Sequence, residues 1–153
     1  MTLLLYPKQI LFIRNYEFED GSQSDGKIAI ILALDDEKIV LVQALVTSQQ
    51  KIPDQKINHG CTNSSDYLFS FYCYEQKRII GISSKGVDFF FDKTTFIYFQ
   101  SNLSVIPTAK YLDNYGASMK ILATLSDQEY DRLIKCLKKS NLAPRKIKRF
   151  FER

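Results

Sequence analysis

Residues 27–47 read KIAIILALDDEKIVLVQALVT, two β-branched apolar runs on either side of Asp35-Asp36-Glu37. A polar turn of that length between such runs predicts a β-hairpin. Neither run alternates strictly between apolar and polar residues. Their near-continuous apolar character predicts strands covered on both faces, as in a small closed barrel.

Working outward, strand signals dominate as far as residue 124. The apolar N-terminal stretch MTLLLYPKQILFIR reads as a first strand; it lacks a basic segment before its Leu run and a small-residue cleavage site, so no signal peptide is expected. Residues 67–74 (YLFSFYCY) and 78–83 (RIIGIS) suggest a second hairpin, followed by strands at 89–91 and 95–99 and a last one at 119–124. Two polar, turn-rich stretches interrupt them, residues 18–26 (FEDGSQSDG) and 48–66 (SQQKIPDQKINHGCTNSSD). Loops of the second length are usually functional or disordered.

A helix opens at Ser126. Ser126-Asp127-Gln128-Glu129 has the form of a capping box, with Glu129 expected to reach back to the Ser126 backbone, and Leu125 with Tyr130 forms a hydrophobic staple. Tyr130, Leu133, Ile134 and Leu137 then recur with the period of one buried helical face. Pro144 opens a second, basic helix with Ile147, Phe150 and Phe151 on one side. The division expected is a β-barrel domain over 1–125 and a C-terminal helix with a basic tail over 126–153, packed on the same domain; the fold class is mainly β.

The 153 residues carry a net charge of +4, but unevenly. From Lys138 to Arg153 there are seven Lys or Arg and one Glu, a charge of +6, so the preceding 137 residues sum to −2. The tail suits phosphate contacts through Lys146 and Arg149, an acidic protein segment, or plain solvation. No apolar run reaches the ~18 residues of a membrane span, so no membrane association is expected. Cys61, Cys73 and Cys136 form no C-x-x-C pair, and one His cannot complete a zinc set, so neither metal nor cofactor is expected. The cysteines read as buried reduced thiols of a cytoplasmic protein. Both glycine-rich phosphate-loop patterns are missing, which argues against the standard nucleotide-binding folds.

Four pieces in order carry a family resemblance: the loop Asp20-Gly21-Ser22-Gln23-Ser24-Asp25-Gly26-Lys27 leading into IAIILAL; Leu45-Val46-Thr47-Ser48; Phe91-Asp92-Lys93-Thr94-Thr95-Phe96-Ile97; and Thr124-Leu125-Ser126-Asp127-Gln128-Glu129. Over residues 12 to 140 the chain resembles the MazF/PemK toxin endoribonucleases. That resemblance implies an SH3-like barrel, a homodimer, an acidic antitoxin partner and metal-independent cleavage of single-stranded RNA. By position it makes Lys27 the cation that stabilises phosphate charge and Thr47 the hydroxyl that orients the scissile phosphate. Gly21, Ser22, Ser24 and Ser48 would join them in holding substrate. The family has Arg-Pro where this chain has Lys27-Ile28, and Lys is a point charge where Arg is a planar fork. The alternative is therefore a non-catalytic barrel that binds nucleic acid or a protein partner.

His59, the one imidazole, is the candidate acid or base, since histidine is the usual side chain for that role in nucleases and this one sits on a loop beside Gly60. Tyr72, Tyr74, Phe96 and Tyr98 suit either base stacking or core. Lys27 also reads as a solvated flank of its strand, and Thr47 and Ser48 as a plain strand end.

Overall fold

The computed structural model describes residues 4–18, 20–51, 57–64 and 69–152. The expected N-terminal strand at 1–3, parts of the long loop at 52–56 and 65–66, the expected strand start at 67–68, and Arg153 lie outside the described residues.

The strands are β1 (Gln9–Ile13), β2 (Tyr16–Glu17), β3 (Gln23–Ser24), β4 (Lys27–Leu34), β5 (Val40–Val46), β6 (Gly60–Asn63), β7 (Ser70–Tyr74), β8 (Gly81–Ser83), β9 (Asp88–Phe89), β10 (Thr95–Tyr98), β11 (Leu103–Pro107) and β12 (Met119–Leu125). Helix α1 (Thr108–Tyr115) precedes β12; α2 (Asp127–Lys139) and α3 (Arg145–Lys148) follow it, with a 3-10 turn over Arg149–Phe151. The chain is mainly β. Seven strands form one antiparallel sheet in the order β11-β5-β4-β1-β12-β8-β9, and β10-β7-β6 form a second. A bridge, Thr47 to Phe96, joins the end of β5 to β10. The ladders among the described residues leave edges at β11 and β9 and do not close into a barrel.

The β4–β5 hairpin forms as read, with Ile28 opposite Val46 and Leu34 opposite Leu41. Both faces are covered. Ile30, Leu32, Val42, Ala44 and Val46 pack into one core with Tyr72, Tyr74, Leu133 and Leu137. Ala29, Ile31, Leu41 and Leu45 pack on the other side with Tyr111 and Tyr115 of α1. Period-2 alternation thus sends consecutive apolar residues to two different cores, which is why the hairpin reads as unbroken.

The second hairpin does not form. β7 pairs with β6 and β10, whereas β8 pairs with β12 and β9. Residues 75–80 carry the chain from one sheet to the other instead of turning back. Nor do β9 and β10 pair with each other. Helix α1 carries no such sequence signal. Its N-cap is Pro107 with no side-chain cap, and no acid occupies its first turn. Eight residues are too few to be stable alone, so burial of Tyr111 and Tyr115 holds it.

Ser126 caps α2 as read, its side chain accepting Glu129 N–H at 3.2 Å. Leu133 and Leu137 are buried as their period requires. Glu129 departs from the capping box: its carboxylate turns inward, and Ser126 N–H bonds Ile80 O at 2.9 Å instead. The basic tail is docked through Ile147, 1% exposed, with Phe150 and Phe151 half-buried against the same core.

The cysteine reading needs correction. Cys61 and Cys136 form a disulfide with Cα atoms 5.5 Å apart, tying β6 to α2; Cys73 alone is a free buried thiol. Seventy-five residues separate the pair, too far for any local pattern to show the pairing. No helix among the described residues is long and apolar enough to cross a membrane.

Candidate functional site

Among the described residues, two places hold the catalytic candidates Lys27, Thr47 and His59. The first is where β4 begins and β5 ends. Lys27, Thr47 and Ser48 line one cleft of about 290 Å³, together with Gly26 and Thr95. Strand register does this: Ile28 opposite Val46 places Lys27 beside Thr47 at the frayed end of the ladder. Backbone bonds in both directions between Thr47 and Phe96 clamp that end. Thr47 Oγ1 accepts Gln49 N–H at 3.1 Å, which leaves its own O–H able to donate to an anion. The Lys27 ammonium lies 5.7 Å from the centre of the Phe18 ring, a cation–π distance. A Cβ at Gly26 would meet Phe12 Cζ at 2.5 Å, so a larger residue there would have to displace that ring.

The cleft has no carboxylate or imidazole among its described lining residues. Phosphate positioning is within its chemistry. General acid–base catalysis would rest on Lys27 and three hydroxyls.

His59 is elsewhere. Its side chain is 4% exposed, with Nε2 2.8 and 3.0 Å from the two oxygens of Glu129, itself 6% exposed. Nδ1 accepts the backbone N–H of Glu75 at 3.0 Å. An acceptor at Nδ1 places the ring proton on Nε2, so the neutral imidazole donates to Glu129. Tyr72 donates its hydroxyl to Glu129 Oε1 at 2.9 Å. Both ring nitrogens are therefore engaged, and the ring has no lone pair for a 2′-hydroxyl. Burial, with the Glu129 carboxylate as the second cause, pushes the Tyr72 hydroxyl well above its ordinary pKa, so it stays a donor.

Above this triad lies a cavity of about 300 Å³ between α2, β6 and β7. Tyr72, Gly60 and the Cys61–Cys136 disulfide form its walls, and Arg78, Arg132, Lys135 and Lys139 line it. Arg132, Lys135 and Lys139 share one exposed face of α2 by their spacing, and Arg78 comes from the segment before β8. Among the described residues, none of the four lies within 4.0 Å of a carboxylate. Gly60 has φ +111°, a conformation that side chains rarely adopt, and it aims His59 and Cys61 at this wall.

The other substrate candidates are dispersed. Ser22 bonds Asp20 through both its N–H and its hydroxyl, and Gly21 takes φ +87° in the same tight turn. Ser24 Oγ donates to Gly26 O at 3.0 Å. Lys146 and Arg149 are exposed on the docked tail. Tyr72, Tyr74, Phe96 and Tyr98 are buried and cannot stack on bases as they stand. Among the described residues, no group of three or more His, Cys, Asp and Glu could hold a metal ion.

The four cavity cations were not expected to form a cluster, although three of them sit at i, i+3 and i+7 of α2. That spacing was the available signal. Comparison of the chain with protein families, with curated proteins and with solved structures finds no match.

Proposed function

We propose that this chain is a binding module for single-stranded RNA, built on a MazF/PemK-type, SH3-like scaffold, that holds phosphates without cleaving the strand. The observation that carries the reading is the convergence of Lys27, Thr47 and Ser48 on one cleft that has no carboxylate or imidazole among its described lining residues. Lys27 supplies the charge for a phosphate, and Thr47 supplies a hydroxyl donor. Cleavage would also need a base for the 2′-hydroxyl and an acid for the leaving oxygen. His59, the residue suited to either task, is engaged at Glu75 and Glu129. The Thr47–Phe96 bridge, which holds the small sheet against the large one, supports the scaffold assignment.

The second reading is a metal-independent endoribonuclease, the toxin half of a toxin–antitoxin pair in the cytoplasm. The juxtaposition of Lys27 with Thr47 favours it, because the resemblance assigns catalysis to those two positions. An acidic antitoxin would then meet the chain's cations. A homodimer would suit the apolar side chains exposed around β8 and β9, namely Ile79, Ile82, Val87 and Phe90. A sedimentation mass of one chain at micromolar concentration would sink the dimer.

Labelled single-stranded RNA, with wild type and Lys27→Ala, separates the readings. The module predicts salt-sensitive binding that Lys27→Ala weakens, with the RNA intact after incubation in chelator. RNA products that wild type makes and Lys27→Ala does not would establish the nuclease instead. Neither binding nor products would overturn both.

A further inference from the structure

We propose that the cavity between α2 and the β6–β7 strands binds a phosphate-bearing small molecule with a flat apolar body. This site is separate from the Lys27 cleft and does not rest on the RNA reading. Three observations carry it.

The first is charge. Arg132, Lys135 and Lys139 lie three and four residues apart on α2, and Arg78 joins them from another element at the same opening. Like charges at those helical spacings repel, and no carboxylate within ion-pairing distance among the described residues offsets them. A bound dianion would. Two guanidinium forks and two ammonium groups match the geometry of a terminal phosphate better than that of a single carboxylate.

The second is shape. About 300 Å³ lies at the small end of ligand sites, room for one ring system. Tyr72, Gly60 and the disulfide give that space a largely apolar wall.

The third is preorganisation. The disulfide fixes β6 against α2, and the His59–Glu129–Tyr72 bonds lock the floor beneath. Asn63 adds a bond to Cys136 O at 3.3 Å. Walls and floor built of locked groups lose little freedom on binding, which leaves the ordering of the four exposed cations as the main cost. The same bonds occupy the Glu129 carboxylate, so the floor does not compete as a cation site.

Phenyl phosphate is the minimal probe, with inorganic phosphate and phenol as its two halves, followed by calorimetry on the oxidised full chain. Saturable binding of phenyl phosphate, roughly tenfold tighter than either half, is expected. Arg132→Gln with Lys135→Gln should weaken it by about tenfold or more while the thermal midpoint of the free chain stays put, since both side chains are exposed. Lys27→Ala should leave it unchanged, which separates this site from the RNA cleft. Equal affinity for inorganic phosphate would overturn the apolar-body part. Absence of saturable binding, or binding indifferent to the Arg132 and Lys135 changes, would overturn the site.

Discussion

Glu129 is the residue on which the interior depends most. It is buried, yet it takes hydrogen bonds from His59 Nε2 and the Tyr72 hydroxyl. Replacing it with Ala would leave two buried donors without their acceptor, at about 1–3 kcal/mol each. Glu129→Ala should therefore lower the urea midpoint substantially, and Glu129→Gln much less, because its amide oxygen still accepts. Equal midpoints for wild type and Glu129→Ala would show that the triad contributes nothing. Cys73 makes a second prediction at this scale. Burial, followed by the nearby Glu75 charge, pushes its thiol up to about 11. The unfolded thiol ionises near 8.5, so the folded chain holds the proton more tightly. Its contribution to stability is complete below the unfolded value and is lost as pH rises through about 11. Alkylation of Cys73 at neutral pH should require denaturant, and rapid labelling of the folded chain would contradict its burial.

At the scale of elements, α2 positions more than any other segment. Its inward face seals the core with Leu133 and Leu137, its N3 residue builds the triad, and its exposed face carries three of the four cavity cations. Because Glu129 is diverted inward, Ser126 is left as the side-chain cap of the helix. Ser126→Ala should cost about 1 kcal/mol and shift the unfolding midpoint accordingly. A negligible change would mean that packing alone holds the first turn. This helix was legible in the sequence because cap, staple and period agreed. Helix α1 was not, because its warrant is the contact of Tyr111 and Tyr115 with the far face of the large sheet. The misread hairpin at 67–83 has the same origin. Its two runs carry the right local chemistry, but each finds a better partner elsewhere, β7 between β6 and β10 and β8 against β12.

For the whole molecule, the Cys61–Cys136 bond is the longest-range covalent constraint. By chain entropy, closing a loop of 75 residues is worth about 4 kcal/mol. Denaturation with and without reductant should show a loss of that order, and removal of the bond should loosen β6 from α2. Identical curves would mean the bond is strained or already open. In a compartment that keeps thiols reduced, the equilibrium would favour the open dithiol and this constraint would be lost.

Part of the candidate site was legible in advance. Lys27 and Thr47 lie on the hairpin whose register the apolar pattern fixes, so their meeting follows from local sequence. His59 does not join them. Its place is set by Gly60 at positive φ, by the disulfide and by a carboxylate seventy residues away. What the sequence by itself determined is the mainly β class, the central hairpin and the capped helix, because those follow from periodicities a few residues long. Only the tertiary structure decided which strands pair across the sheets, which cysteines join and which cations share a cavity. Those are contacts between residues tens of positions apart, and nothing local to either partner encodes them.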